Sequence, residues 1–239
     1  MCVADRVALG TGTMRIQGQS LGAIAPRIGI VRSYPAKREI VHQNAPATRV
    51  YEVVSGTVCT CKFLKNGRRQ IAGFYFSGDV FGLESVDRYP VAAEAITKAQ
   101  IRVFKKQTLT ALASSNREVT HRLLALTARE LARQQNLLLS LSRSAEDRIV
   151  YFIAEMVQRS SPKEGRIALP MTRQDIADYL GLTIETVSRT LHDLERRGAI
   201  EIRGYHSIAL RNQFVEGRVE GLPDLFERIR GRQPKAKAA

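Results

Sequence analysis

The hydrophobic pattern in the first half of the chain is that of short strands separated by glycine-containing turns. Apolar and β-branched residues are concentrated in residues 50–54, 57–64 and 70–76, and further β-rich runs reach residue 104. Asn66-Gly67, between the second and third runs, is a strong signal for a β-hairpin. Many short strands of this kind predict a sandwich or a jelly roll over this part of the chain.

Residues 116–142 follow a helical period instead, with few helix breakers. Five of them are spaced 4, 3, 4 and 3 residues apart, as in a coiled-coil seam: Leu124, Ala128, Leu131, Gln135 and Leu138. Leu123, Leu126 and Leu137 lie off this seam and are expected to pack on the strand-rich part. An ordinary amphipathic helix packed within one subunit is the alternative. A helix that is apolar on more than one face must bury both, so we predict a homodimer.

The C-terminal third predicts two short helices joined by a tight turn. Thr172 and Asp175 form an S/T-x-x-D/E signal, which ties down amide donors at a helix N-terminus. Gly181 interrupts the apolar period where a sharp turn needs a residue without a Cβ atom. Thr183 then begins a second helix, which we expect to end at Gly198. Residues 143–147 would be the hinge that precedes this part.

The second of these helices has one apolar and one polar face. Val187, Leu191 and Leu194 form the apolar stripe, and the opposite face carries Glu185, Ser188, Arg189 and His192. Such a helix pair describes a helix-turn-helix. A simpler interpretation is that Glu185 and Arg189 form a solvated surface salt bridge worth about 0.3 kcal/mol. Residues 201–203 and 207–210, on either side of Gly204-Tyr205-His206, suit a hairpin and favour a winged helix.

These motifs together resemble a known family. The segment DIADYLGLTIETVSRTLHDLERRGAIEI, residues 175–202, resembles the recognition region of the cyclic-AMP receptor protein/FNR superfamily of bacterial regulators. Its E-x-x-S-R spacing is similar to that of the FNR/FixK branch, because the cyclic-AMP branch has a second arginine in place of the serine. The segment GDVFGLE, residues 78–84, and residues 93–95 are similar to FixK proteins. The resemblance extends from about residue 34 to residue 210.

The resemblance implies an α+β fold with three parts. These are an N-terminal cyclic-nucleotide-binding-like β-roll (a jelly roll), a long dimerisation helix and a C-terminal winged helix-turn-helix. We therefore predict an N-terminal extension over 1–25, the β-roll over 26–115, the dimerisation helix over 116–142, the DNA-binding domain over 143–215 and a basic tail over 216–239. Gln135 would be the polar position of the dimer seam that fixes its register.

The resemblance also implies what the protein recognises. A symmetric dimer should bind a palindromic operator in double-stranded DNA, of the form TTGAT-N4-ATCAA. Arg189 could donate to guanine, Glu185 could accept from cytosine, and Ser188 could meet a thymine edge. A further set is expected at the DNA backbone or in secondary contacts: Thr172, Gln174, Thr183, Thr186 and His192. FixK-like proteins activate low-oxygen respiration and nitrogen-fixation genes, so recruitment of RNA polymerase by loops of the roll is expected.

Two ligands known in the superfamily are not expected here. The buried phosphate of a cyclic nucleotide needs a fixed cation. In the cyclic-AMP members an Arg-Ser pair supplies it, but here apolar residues replace that pair after Arg88. We predict that Arg88 is a surface loop residue. An iron–sulfur cluster needs four thiolates, whereas the chain offers only Cys2, Cys59 and Cys61. Cys59 and Cys61 should share one strand face, where they could be redox-active, hold a metal or, as we favour, pack as buried small hydrophobes. We expect no cofactor and no metal site.

The charge of the chain bears on what kind of partner the protein binds. The net charge of +14 supports a nucleic-acid partner, although most of the excess lies before residue 143, outside the proposed DNA-reading part. Residues 228–239 are basic, either as a solubilising tail or as an added phosphate contact.

No apolar run reaches the roughly 18 residues of a membrane span, so we expect no membrane association and a cytoplasmic protein. We find no P-loop, nucleophile elbow or zinc-binding helix motif, so we expect no enzyme. A cyclic-nucleotide-responsive regulator and a ligand- or redox-sensing regulatory protein remain alternatives.

Overall fold

The structure, a computed structural model, describes five stretches of the chain. These are residues 20–25, 28–84, 86–159, 166–204 and 207–210. Several features singled out from the sequence lie outside the described residues: Cys2, most of the predicted N-terminal extension, Tyr205, His206 and the basic tail over 216–239.

The described N-terminal part is built almost entirely of short strands. They are β1 (Ile30–Tyr34), β2 (Glu39–Val41), β3 (Arg49–Ser55), β4 (Val58–Phe63), β5 (Arg69–Tyr75), β6 (Val80–Phe81), β7 (Ala92–Ala95) and β8 (Ala99–Lys105). A one-turn helix, α1 (Leu21–Ile24), precedes them, and α2 (Lys106–Ser115) follows. The predicted hairpin is β4–β5, in which Gly67 adopts a φ of 78°, a left-handed conformation that favours glycine.

The strands form two four-stranded sheets, which confirms the predicted jelly roll. One sheet has the order β1-β8-β3-β6 and the other β2-β7-β4-β5, with antiparallel pairs throughout. Val53 and Ile101 of the first sheet pack with Val58 and Ala95 of the second in one buried cluster. This two-sheet unit, residues 30–105, is called the roll below.

Aromatic rings pack together inside the roll. Tyr51 and Phe81 stack with their ring centroids 5.0 Å apart, Phe81 lies 5.3 Å from Tyr75, and Tyr51 lies 6.2 Å from Tyr89. Each of the four residues is 5% exposed. Burial raises the pKa of the Tyr51 hydroxyl well above its usual range. These four aromatic side chains therefore fill part of the space between the two sheets.

The predicted long helix is α3 (Arg117–Ser140). Asn116 caps its N-terminus, because the Asn116 side chain accepts from the backbone N–H groups of Glu118 and Val119. Leu126 is buried and Leu123 partly buried in a cluster with residues of the roll, as predicted for positions off the seam.

The face of α3 opposite to the roll is apolar and open. Leu124, Leu131 and Leu138 are 65%, 58% and 70% exposed within one chain, and Ala128 and Gln135 on the same face are exposed too. The five predicted seam residues therefore form one continuous exposed stripe, on which no described residue of the same chain packs closely.

The C-terminal unit begins after a short turn at residues 141–144. It consists of α4 (Ala145–Arg159), β9 (Arg166–Ala168), α5 (Arg173–Leu180), α6 (Ile184–Arg196), β10 (Ile200–Ile202) and β11 (Ser207–Leu210). The three strands pair antiparallel in the order β10-β11-β9. The sequence predicted the β10–β11 hairpin but not β9, whose three residues show no periodicity of their own. This unit is the winged helix-turn-helix that the sequence predicted.

The core of the C-terminal unit continues into the roll without a break. Ile71 and Phe74 of β5 belong to the same buried cluster as Phe152 of α4 and Tyr179 of α5. The outer surface of the β4–β5 side of the roll is therefore covered by the C-terminal unit. None of the helices among the described residues combines the length and the apolar composition that a membrane span requires.

Candidate nucleic-acid interface

Helix α5 begins with a complete capping box. The Thr172 hydroxyl accepts from the Asp175 backbone N–H at 3.1 Å, and the Asp175 carboxylate accepts from the Thr172 backbone N–H at 2.8 Å. The Thr172 hydroxyl also donates to the same carboxylate at 2.7 Å. Two amide donors that a helix start leaves unpaired are thereby satisfied. The start signal predicted from the sequence is confirmed, and it fixes where the first helix of the pair begins.

A left-handed glycine makes the turn between α5 and α6. Gly181 has φ of 65° and ψ of 39°, and its backbone N–H donates to the Ala177 carbonyl. The Leu182 N–H donates to the same carbonyl at 3.0 Å. A Cβ atom at Gly181 would meet only the Arg148 guanidinium at 3.9 Å, so the backbone conformation rather than lack of space favours glycine here.

Helix α6 is capped at both ends. Thr183 is its N-cap, and the Thr183 hydroxyl accepts from the Thr186 N–H at 3.2 Å. The last helical residue is Arg196, two residues before the predicted end at Gly198, which has a φ of 73°. The Ala199 N–H donates back to the Leu194 carbonyl and the Gly198 N–H to the Glu195 carbonyl, both at 2.9 Å. This is a Schellman motif, which uses glycine immediately after the helix.

The two faces of α6 are separated as the sequence predicted. Val187, Leu191 and Leu194 are buried in the core of the C-terminal unit. Glu185, Arg189 and His192 are exposed on the other side, and Ser188 is half-buried beside them. The structure thus brings the predicted base-reading residues together on one solvent-facing side of a firmly packed helix.

The exposed face of α6 keeps its charged groups available. Glu185 lies in the first turn, where hydrogen bonds from its own backbone N–H and from the Thr183 side chain hold the pKa of its carboxyl below the usual range. Arg189 makes no hydrogen bond or ion pair with any residue in the described part of the chain, Glu185 included. The salt bridge between these two residues, the simpler interpretation, is therefore not formed in this structure.

The residues predicted for the DNA backbone are held in local hydrogen bonds. Gln174 donates to the Asp178 carboxylate at 2.7 Å, and the Thr183 and Thr186 hydroxyls lie 3.1 Å apart. His192 Nδ1 lies 3.5 Å from the Glu195 carboxylate. The same Glu195 side chain accepts from a backbone N–H of the first wing strand, that of Ile202, at 2.9 Å. Thr172 has its hydroxyl committed to the capping box, so its contribution to a phosphate site would come from the helix start rather than from a free hydroxyl.

Cys59 and Cys61 lie on one face of β4, as predicted, and both are fully buried with free thiols. A hydrogen bond with Cys61 and burial raise the pKa of the Cys59 thiol, which disfavours the reactive thiolate. No group of three or more His, Cys, Asp or Glu side chains that could hold a metal ion occurs among the described residues. The environment is that of small core residues.

Arg88 is the cation that precedes the apolar residues found in place of the Arg-Ser pair, and it points outward. Its side chain is exposed and donates to the Asn44 carbonyl at 2.8 Å. The residue that follows, Tyr89, turns inward to join the aromatic rings of the roll. Arg88 is thus a surface loop residue that holds a neighbouring turn.

One set of contacts between the roll and helix α5 was not foreseen from the sequence. Arg69 of β5 reaches the carboxylates of Asp175 and Asp178 on α5, more than a hundred positions away along the chain. No local sequence pattern indicates this pairing, since each of these charged residues, taken alone, looks like a solvated surface residue. The one sequence feature that could have suggested a contact was the charge of Arg69 at the start of a strand.

Comparison with known proteins places these observations in a family. Residues 31–116 match the model of the cyclic nucleotide-binding domain, and residues 147–213 match that of the Crp-like helix-turn-helix domain. The nitrogen fixation regulation protein FixK of Azorhizobium caulinodans is 39% identical over 202 residues, 82% of either chain. The protein of the same description from Rhizobium meliloti is 37% identical, over 81% of this chain and 89% of that one. The solved structure of FixK2 from Bradyrhizobium japonicum has a TM-score of 0.75 at 39% identity, over 87% of this chain and 99% of that one.

Proposed function

The chain belongs to the FixK-like branch of the CRP/FNR family of DNA-binding transcription regulators, and from this premise we propose that it binds an inverted repeat as a homodimer. The observation that carries the proposal is the exposed polar face of α6, where Arg189 is free of partners among the described residues. A transcription regulator of this family is not an enzyme, and its specificity depends on how that face meets base edges.

We propose a role for each residue of this face. The Arg189 guanidinium donates two parallel hydrogen bonds to a guanine, and the Glu185 carboxylate accepts from a cytosine amino group. Ser188 lies between them and meets a thymine edge. The Glu185 carboxyl, whose pKa lies below the usual range, is ionised at neutral pH and can act as an acceptor. Thr172, Gln174, Thr183, Thr186 and His192 border the face and approach the phosphates, to which helix N-termini present backbone N–H groups.

The homodimer would form through the exposed stripe of α3. Leu124, Leu131 and Leu138 are more than half exposed in the single chain, and a contiguous apolar stripe of this kind is usually covered by a partner. Two α3 helices in a coiled coil would bury it, with Gln135 as the polar position that fixes the register. The resulting twofold symmetry would place two α6 helices about 34 Å apart, one turn of DNA.

The relatives' descriptions bear on the regulated genes, because FixK is described as a nitrogen fixation regulation protein. We therefore propose that the protein controls nitrogen-fixation genes. From the family resemblance of its recognition segment we further propose a TTGAT-N4-ATCAA-like operator, control of low-oxygen respiration genes and activation through contact between the roll and RNA polymerase. The binding should need no small molecule, because aromatic rings occupy the roll interior and Arg88 faces solvent.

A cyclic-nucleotide-responsive regulator is the second candidate, favoured by the match of residues 31–116 to the cyclic nucleotide-binding domain. The test is fluorescence anisotropy on a duplex that carries TTGAT-N4-ATCAA and on a scrambled duplex. Both are titrated at fixed near-physiological salt, first without ligand and then with cyclic AMP. Tight ligand-free binding to the intact repeat supports our proposal. Binding that requires cyclic AMP would instead support the second candidate, and equal weak binding to both duplexes under all conditions would overturn the operator assignment.

A further inference from the structure

A single arginine of the roll joins three carboxylates at the junction with the C-terminal unit. The Arg69 guanidinium contacts the Asp175 carboxylate through Nη2, the Glu94 carboxylate through Nη1 at 3.2 Å and the Asp178 carboxylate through Nε at 3.5 Å. All four side chains are between 11% and 24% exposed, so the group is largely removed from solvent. Ion pairs that are shielded in this way are weakly screened by salt.

The Asp175 carboxylate connects this group to the start of the helix-turn-helix. Its Oδ2 atom closes the capping box with Thr172, and its Oδ1 atom contacts Arg69. One side chain therefore fixes the N-terminus of α5 and also ties it to β5. The neighbouring residue adds a second link along the same helix, because the Gln70 side-chain amide donates to the Asp178 backbone carbonyl at 2.5 Å.

A second anchor lies at the other end of β5. The Arg159 guanidinium, at the end of α4, donates to the Phe74 carbonyl at 2.7 Å and to the Asp79 carboxylate at 2.6 Å. The Phe74 carbonyl also accepts from Arg133 of α3 at 3.0 Å. The roll, the long helix and the C-terminal unit therefore all meet at strand β5, and Arg69 holds the side of the junction that lies closest to the helix-turn-helix.

We propose that Arg69 is a positioning residue that sets which operator spacing the protein accepts. It holds α5, and through α5 the recognition helix α6, at a fixed orientation to the roll and to the α3 stripe. This inference rests on the proposed function, because a preferred spacing exists only for a dimer on an inverted repeat. Arg69 does not touch DNA in this proposal, and it acts through Asp175 and Asp178.

The physical reason is the geometry of duplex DNA. Each added base pair moves a half-site by about 3.4 Å and rotates it by roughly one tenth of a turn. A C-terminal unit that is fixed to the roll cannot follow such a change. A unit with a looser junction can follow it in part, and then binds correctly and incorrectly spaced repeats with more similar affinity. Arginine suits the role because its rigid guanidinium fork reaches several carboxylates at once, which a lysine ammonium cannot do.

The test compares full-length variants on duplexes with three, four or five base pairs between TTGAT and ATCAA. Arg69→Gln is matched by Arg68→Gln, which removes the same charge from the adjacent residue, whose side chain is exposed. The readout is the ratio of affinities for the four-pair spacer and for the other two spacers. General loss of folded protein lowers all three affinities together and leaves this ratio unchanged.

We expect wild type and Arg68→Gln to share one ratio and Arg69→Gln to lower it about tenfold, as for loss of a charge-assisted contact. Asp178→Asn, which weakens the same contact from the α5 side, should lower the ratio in the same direction. An affinity ratio for Arg69→Gln that equals the wild-type ratio, whether or not the affinities themselves change, would overturn this inference alone. A wild type that does not distinguish the intact repeat from a scrambled duplex would overturn the proposed function and this inference with it.

Discussion

Phe74 of strand β5 and Tyr179 of helix α5 lie with their ring centroids 5.1 Å apart, one in the roll and the other in the helix-turn-helix. Phe152 of α4 completes the group, 6.2 Å from Phe74 and 5.8 Å from Tyr179. Burial raises the pKa of the Tyr179 hydroxyl well above its usual range. The junction between the two units therefore has the character of a protein core, and the DNA-reading helix pair is packed onto the roll.

Replacing Phe74 by alanine should weaken this junction. Phe74 is 1% exposed, and truncation of such a phenylalanine typically costs about 3–5 kcal/mol. Differential scanning calorimetry should show a lower midpoint and, because the shared core is interrupted, separate transitions for the roll and the C-terminal unit. Phe63→Ala is the control, since Phe63 is 51% exposed and should leave the midpoint nearly unchanged. A single transition with an unaltered midpoint in Phe74→Ala would contradict the shared core.

Replacing Arg189 by alanine should remove discrimination at the guanine of each half-site. A good bidentate contact contributes about 1–3 kcal/mol of discrimination, which is about 5- to 150-fold in affinity ratio. Anisotropy titrations on the intact repeat and on a repeat with that guanine exchanged would measure the ratio. Arg196→Ala is the matched control, because Arg196 belongs to the same helix and has a side chain that is 79% exposed and paired with Asp193. If Arg189→Ala kept the wild-type ratio, Arg189 would not read that base.

Replacing Leu131 by lysine should convert the dimer to monomers. The exposed stripe of α3 becomes buried in the proposed dimer, where an unpaired ammonium group is strongly disfavoured. Sedimentation velocity would report the change in mass, and affinity for the inverted repeat should fall with it. Leu64→Lys serves for comparison, because Leu64 is 41% exposed but lies in the β4–β5 hairpin away from α3. A Leu131→Lys protein that sediments as wild type would exclude this stripe as the interface.

The thiols of Cys59 and Cys61 should be unreactive in the folded protein. Both are fully buried, so the packed core keeps the reagent away from either thiol, although the hydrogen bond between them raises the pKa of Cys59 and lowers that of Cys61. In a Cys2→Ser background, Ellman's reagent should label neither thiol near pH 8 and should label both after denaturation. Rapid labelling of the native protein would make these residues redox candidates again.

Local signals were sufficient to predict most of the fold. The capping box of Thr172 and Asp175, the turn at Gly181 and the glycine after α6 each depend on residues within one helical turn, so the sequence specifies them directly. The hairpin at Asn66-Gly67 is of the same kind. The periodicity of α3 likewise separated Leu126, which is buried, from Leu131, which is exposed.

The contacts between units were not predictable in this way. Arg69 and Asp175 lie 106 positions apart, and only the folded chain brings them together. Strand β9 has three residues and depends on pairing with β11, so its identity is set by its neighbour and not by its own sequence. The polar face of α6 was predicted, whereas the hydrogen bond from Gln174 to the Asp178 carboxylate follows from side-chain geometry that no periodicity describes.

The aromatic packing inside the roll has a consequence for protein engineering. Tyr51 and Phe81 stack with their ring centroids 5.0 Å apart and belong to the buried cluster between the two sheets. Because these rings are covalently attached, the space that they fill is closed to a small molecule in the folded protein. Shortening both side chains to alanine would open an apolar cavity, and such cavities accept small aromatic compounds of matching size. A compound that binds this cavity would stabilise the folded variant, so its concentration would set the stability of the roll.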